Sequence, residues 1–178
     1  ILLASIPASA LFIGMLRGKY SYRVINHELS FDKLPSEFTD FRIAHVSDFH
    51  CGSFDNEEKL AYGISMINQQ HPDIILFTGD MVNNIAKEIL PWKKLISSLN
   101  APYGKYAVLG NHDYGDYVKW DSEEEKKANL KQLIFLLEDM GFKVLLNNAI
   151  KIDKKNSSIS LIGVENWGSG KFKKNGDF

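Results

Sequence analysis

Ile74-Ile75-Leu76-Phe77-Thr78-Gly79-Asp80 decides how this chain is organised. The apolar run 74–78 is too short for a buried helix and suits a strand covered on both faces of a sheet. His71-Pro72 stops what precedes it, and the run ends on Gly79, which can turn freely, and on a carboxylate. The same pattern repeats on either side. Upstream, the run 41–46 ends in Ser47-Asp48-Phe49-His50; downstream, the run 106–109 ends in Gly110-Asn111-His112-Asp113. Asp80 stands 32 positions after Asp48 and Asn111 stands 31 after Asp80, each close to the roughly 30 residues of one strand-helix-strand unit.

Helical patterns fill the intervals. Asp55 and Asn56 offer N-caps, Glu57 and Glu58 suit a first turn, and Leu60, Ile64 and Ile67 share one face before Pro72. Ile85, Ile89, Trp92, Leu95, Ile96 and Leu99 predict a second helix, in which Pro91 must sit in a first turn or produce a kink. Ser122 with Glu125 is a capping-box signature, followed by Leu130, Leu133, Ile134, Leu137 and Met140, with Gly141 as the stop. Residues 143–146, 149–152 and 158–164 read as further strands, with turns at Asn147-Asn148 and 154–157. Alternating strands and helices define an α/β fold with a largely parallel sheet, and ligands of such sheets collect at the carboxyl ends of the strands.

Composition bounds the rest. The 178 residues, 44% hydrophobic and 24% charged, have the balance of a globular domain with one sizeable core. With 21 Lys plus Arg against 22 Asp plus Glu the formal charge is −1, without the basic field that holds a nucleic-acid backbone, so no stable nucleic-acid partner is expected. The single cysteine, Cys51, excludes an internal disulfide framework and a Cys-rich zinc site, leaving oxygen and imidazole to hold any metal. Residues 1–16 are almost continuously apolar, slightly short of the about 20 that span a bilayer. Residues 1–20 are therefore read as the end of a membrane-spanning or membrane-anchoring helix, a buried core helix or a secretory signal being the alternatives. Arg17, Lys19 and Arg23 follow directly, and such positive flanks favour the cytoplasmic side for the domain beyond. A polar link, 21–40, separates this segment from the domain at 41–178.

The residues at the three strand ends are metal-ligand types. Asp48 and His50, two apart in a segment read as extended, would project to the same side and grip one ion. Asp80 has two carboxylate oxygens and could bridge two cations about 3.5–4 Å apart. Asn111 offers a carbonyl oxygen to the second ion, and Asp113 could hold or polarise the imidazole of His112. Taken singly, Gly110-Asn111-His112-Asp113 also reads as a turn and Asp80 as a helix cap. Three such clusters in order, each after an apolar strand and one crossover apart, favour the metal reading.

Asp48-x-His50, Gly79-Asp80 and Gly110-Asn111-His112-Asp113 resemble the three amino-terminal motifs of the calcineurin-like metallophosphoesterases. The flanks 42–48 and 76–80, with Gly163-Val164-Glu165-Asn166-Trp167-Gly168, look like the bacterial membrane-anchored phosphodiesterase branch of that family. The resemblance covers residue 41 to the end of the chain. It implies a sandwich of two mixed β-sheets flanked by helices, with two divalent ions at the top; mixed imidazole and carboxylate ligands favour manganese or iron for them, with zinc the alternative. It further implies that Asp48 and His50 bind the first ion, Asp80 bridges, Asn111 binds the second, and catalytic His112, with Asp113, assists. The implied reaction is hydrolysis of a phosphoester, in particular a phosphodiester, by a hydroxide activated between two metals. A bacterial cell membrane with the catalytic domain on the cytoplasmic side is the implied location, and a lipid-linked or nucleotide phosphoester the implied substrate. A catalytically degenerate scaffold and a nuclease of the same fold are the competing readings.

The family completes its coordination spheres with downstream histidines in Gly-His and Gly-His-x-His motifs. The five histidines here are His27, His45, His50, His71 and His112, so none follows His112. His45 is read as core, His71 as the end of a helix and His27 as part of the link. The ligand set is thus one-sided, and the expectation is that the C-terminal part of the domain is missing and that this chain alone is a poor catalyst.

Overall fold

Four short strands lie parallel and side by side in chain order: β1 (Ile43–Val46), β2 (Ile74–Phe77), β3 (Lys105–Ala107) and β4 (Phe142–Val144). They belong to a computed structural model that describes residues 18–168 and 174–177. The register aligns Val46 with Phe77, Phe77 with Ala107 and Ala107 with Val144. The strands therefore end on one row, and the loops carrying Asp48, Asp80 and Asn111 leave from a common edge.

The connections are α1 (Glu57–Asn68), α2 (Lys93–Ser97) and α3 (Glu123–Asp139). The Asn56 side chain accepts the Lys59 N–H at 2.9 Å, capping α1; beyond its end His71 adopts a left-handed backbone (φ 49°) ahead of Pro72. The Ser122 hydroxyl accepts the Glu125 N–H at 3.1 Å at the head of α3, and Gly141 follows its end at φ 87°. The single second helix predicted from residue 85 is instead two pieces, a 3-10 turn at Ala86–Ile89 and the short α2. Pro91 lies between them, where its ring and missing N–H interrupt the helical ladder. The apolar face survives the break, with Ala86, Ile89, Ile96 and Leu99 all buried.

One core lies between the helices and the sheet, where Leu60, Ile64, Ile96, Leu133 and Leu137 meet Ile75, Phe77, Ala107 and Phe142. Each fully buried side chain of this kind stabilises the fold by about 1.5–3 kcal/mol. The opposite face is covered by a hairpin, β5 (Asn148–Lys154) and β6 (Ser157–Gly163), which turns through Lys155 and Asn156. Ile152, Ile159 and Leu161 of the hairpin pack with Phe38, Phe41, Ile74, Leu76, Tyr103 and Tyr106 in a second core. The α/β sandwich is thus built, among the described residues, from a wholly parallel sheet and an antiparallel hairpin rather than from two mixed sheets.

β1 is the edge strand, and the hairpin does not cover it: Ile43 is 52% exposed. His45, read from the sequence as core, is therefore exposed, with its Nε2 2.7 Å from the Thr78 hydroxyl. The 21–40 stretch is anchored at both ends. Tyr22 lies against Gly63 of α1 and Phe38 is buried in the second core, while Ile25, Leu29 and Phe31 between them are exposed. The expected membrane segment falls mostly on residues 1–17, outside the described residues. Among the described residues no helix is long and apolar enough to cross a membrane.

Candidate metal centre

The parallel ladder does not stop where the strands do. The Thr78 N–H donates to the Val46 carbonyl, the Asp48 N–H to Gly79 and the His50 N–H to Asp80, each at 3.0 Å. Asp48, His50 and Asp80 all have positive φ, at 56°, 47° and 59°. The extended Asp48–His50 segment expected from the sequence is therefore corrected: each residue bends the chain, so two-residue spacing no longer sets where the side chains project. A left-handed conformation costs an L-residue about 1–2 kcal/mol, and such strain persists where the surroundings over-determine it. Here the cross-loop bonds and two glycines do so. A Cβ on Gly79 would sit 2.2 Å from the Gly110 nitrogen, and a Cβ on Gly110 would sit 2.3 Å from Asp80 Oδ1. The second and third loops approach to a distance only glycine permits.

Asp113 is the brace behind this approach. It is fully buried, and its two oxygens accept the N–H groups of Asp80 (2.8 Å), Gly110 (2.9 Å), Met81 (2.8 Å) and Val82 (3.3 Å). Burial pushes its carboxyl up to about 6, opposed by the N–H bonds of Gly110, Val82 and Asp80 and reinforced by the Asp80 charge. The contact with the His112 imidazole expected from sequence is not what it makes. That ring is held instead by the Asn83 carbonyl, 2.7 Å from Nδ1. A carbonyl can only accept, so Nδ1 carries the proton and Nε2 is the nitrogen left for other chemistry. Glu88 fixes the Asn83 segment by accepting the N–H groups of Asn83 (2.6 Å), Asn84 (3.2 Å) and Ile85 (3.0 Å).

Around this frame the side chains converge. His50 Nε2 is 3.8 Å from Asp48 Oδ1 and 3.8 Å from Asp80 Oδ2, too far for hydrogen bonds. Donors each about 2.1 Å from one cation stand about 3–4 Å apart, so the spacing fits ligands that share an ion. Ligand atoms of His50, Asp80 and His112 all lie within 4.8 Å of one another. Asp80 Oδ1 accepts the His112 N–H at 2.9 Å, leaving Oδ2 toward His50, and its side chain is 13% exposed. The Asp48 side chain is the open member at 63% exposed, with the Ser47 hydroxyl donating to it. Asn111 stands beside the group. Its Nδ2 donates to the Tyr117 hydroxyl at 2.8 Å, and the Tyr117 ring lies 4.5 Å from that of His112. The donor set of carboxylates, imidazoles and an amide fits a divalent transition ion.

Sequence reasoning named the side chains that gather here and missed their supports. Asn83 acts through its backbone carbonyl, which leaves no mark in residue type. Glu88, a few residues after an Asn-Asn pair, carried a cap-like signal. Trp120 donates from Nε1 to the Gly115 carbonyl at 2.7 Å and packs the loop on itself. Glu165, in the last quoted motif, accepts the Tyr114 hydroxyl at 2.7 Å, tying the end of the hairpin to the third site loop. Burial, and then that carboxylate, push the Tyr114 phenol well above its ordinary range, so it remains the donor.

A parallel sheet whose loops gather carboxylates and imidazoles at one edge is a scaffold able to hold a metal ion. The family model described as calcineurin-like phosphoesterase matches residues 41–177, and the chain belongs to that family. An uncharacterized metallophosphoesterase of Aquifex aeolicus is 32% identical over 161 residues, covering 87% of this chain and 56% of that protein. The UDP-2,3-diacylglucosamine pyrophosphatase LpxG of Chlamydia trachomatis is 40% identical over 93 residues, covering 49% of this chain and 28% of that protein. A transmembrane protein with metallophosphoesterase domain from Danio rerio is 25% identical over 85% of this chain and 33% of its own length. The chain thus spans about half the length, or less, of these relatives.

Proposed function

We propose that the protein hydrolyses a phosphoester, of the phosphodiester class, at a centre holding two divalent ions of which this chain supplies Asp48, His50, Asp80 and Asn111. The observation that carries the reading is the convergence of His50, Asp80 and His112 on one space at the carboxyl edge of the sheet. When bound, the ions would neutralise the phosphoryl charge and lower the pKa of water at the site. The rest is done by the chain. Asp48 and His50 hold one side, Asp80 is placed to be shared, and Asn111 adds a neutral oxygen. His112, tethered through Nδ1–H to the Asn83 carbonyl, would act through Nε2: with a second proton there, as imidazolium, it can pass that proton to the leaving-group oxygen or hydrogen-bond a phosphoryl oxygen. Asp113 serves from behind by locking the Asp80 and Gly110 backbones.

A lipid-linked pyrophosphate or diester is the favoured substrate, supported by the LpxG relatives and by the apolar segment 1–16 with its basic flank. The same segment and the relatives described as transmembrane proteins support a membrane location, and the basic flank of Arg17, Lys19 and Arg23 favours the cytoplasmic side for the domain. The test is hydrolysis of bis-p-nitrophenyl phosphate by the full-length protein with Mn²⁺. Turnover should vanish on chelation and in Asp80→Asn, and fall at least about 100-fold in His112→Ala. Unchanged turnover in both variants would overturn the assignment, and absence of turnover in the unmodified protein would favour a binding scaffold.

A further inference from the structure

We infer that Tyr117 is a positioning residue of the metal centre, one that holds the Asn111 amide by its nitrogen, with the oxygen left for a cation, and packs on the ring of His112. The inference rests on the metal-centre reading given above.

An asparagine presents an oxygen or an NH2 group, and only the oxygen can bind a cation. The Asn111 Nδ2 donates to the Tyr117 hydroxyl at 2.8 Å, which commits the nitrogen and leaves Oδ1 as the end to offer. Having accepted this bond, the phenol keeps its own proton, so it can follow the amide without leaving a polar atom unpaired. The ring has a second role. His112 is tethered at Nδ1 by the Asn83 carbonyl, meets His50 edge-on with ring centres 4.8 Å apart, and meets Tyr117 at 4.5 Å with the planes 32° apart. Tyr117 is therefore a third contact on the His112 ring, beside His50 and the Asn83 carbonyl.

The fold does not need this tyrosine for its own sake. Tyr117 is 49% exposed, and its loop is closed by other bonds, the Gly115 N–H donating to the His112 carbonyl and Trp120 to the Gly115 carbonyl. A half-exposed ring that contacts an expected ligand with its hydroxyl and an expected acid with its face is placed for the site rather than for the core. Residues that orient metal ligands without touching the metal change metal affinity by about 10–100-fold when removed.

The experiment is Mn²⁺ binding to the full-length protein without substrate, followed by calorimetry and by the electron paramagnetic resonance of free Mn²⁺, alongside turnover. Tyr117→Phe keeps the ring and loses the hydroxyl; its Mn²⁺ affinity should fall about 10-fold, with kcat at saturating Mn²⁺ within about 3-fold of the parent. Tyr117→Ala loses both contacts, and its kcat should fall further even at saturating Mn²⁺. Asn111→Ala should weaken Mn²⁺ binding, and adding Tyr117→Phe to it should weaken binding by less than about 2-fold more, because the two act through one contact. Full additivity of the two substitutions, or unchanged affinity in Tyr117→Phe while Asn111→Ala binds weakly, would overturn the role of Tyr117 alone. Unchanged affinity in Asn111→Ala would instead remove the metal-centre assignment on which it rests.

Discussion

Replacing Gly110 with alanine puts a methyl group where the second and third site loops touch. The added Cβ would lie 2.3 Å from Asp80 Oδ1, 2.6 Å from the Asp80 nitrogen and 2.9 Å from Asp80 Cγ. None of these atoms can move freely. The nitrogen is held by Asp113 and Oδ1 by the His112 N–H, so relief must come by prying the loops apart. Overpacking of this kind costs about 1–3 kcal/mol, and weakening the charged hydrogen bond adds about 1–2 kcal/mol. A total of about 2–5 kcal/mol should lower the thermal midpoint by about 4–20 °C. Displacing Asp80 should also weaken Mn²⁺ binding by more than about 10-fold. The control is Gly18→Ala, where nothing lies within 4 Å of the new Cβ and stability should change by less than about 0.5 kcal/mol. A Gly110→Ala protein with the parent's melting temperature and Mn²⁺ affinity would refute the close approach as the device that fixes Asp80.

Three further outcomes are expected. Asp113→Ala leaves buried N–H groups without an acceptor and should cost about 3–5 kcal/mol in urea denaturation; an unmoved midpoint would show that the brace contributes nothing. Glu88→Ala releases the Asn83 segment, costing about 1.5–3 kcal/mol and lowering kcat through the loss of a fixed His112; lost stability with full turnover would detach that loop from the chemistry. Tyr20→Phe removes the hydroxyl that accepts the N–H groups of Asp55 (2.9 Å) and Asn56 (3.0 Å) ahead of α1. It should cost about 1–2 kcal/mol with kcat unchanged, and a parental denaturation curve would show that this contact does not hold the segment in solution.

What could be read from the sequence was whatever leaves its mark in residue type. The runs at 41–46, 74–78 and 106–109 coincide with β1, β2 and β3 to within two residues because a parallel sheet favours such residues, and their ends were visible because Asp48, Asp80 and Asn111 follow at one-crossover spacing. Backbone conformation was hidden, since Asp48, His50 and Asp80 adopt positive φ without a glycine to announce it. Pro91 announced a break in the second helix but not on which side the helix would survive. The roles of Asp113 and Asn83 were invisible for another reason. Asp113 was assigned to its neighbour His112, whereas it serves N–H groups of residues more than thirty positions away as well as that of nearby Gly110. Asn83 contributes an atom that every residue has. His45 misled because the apolar run around it looks the same whether the strand lies inside the sheet or at its edge.

The Asp113 brace has a kinetic consequence. The amide protons of Asp80, Met81 and Gly110 point at a carboxylate sealed from water, so no local fraying can hand them to solvent without pulling that carboxylate out of the core. Their hydrogen exchange should be as slow as opening of the whole sheet, even though they sit in loops, where exchange is ordinarily fast. The centre thus has no opening motion of its own at its base: its geometry lasts as long as the domain stays folded, and is lost in the same event.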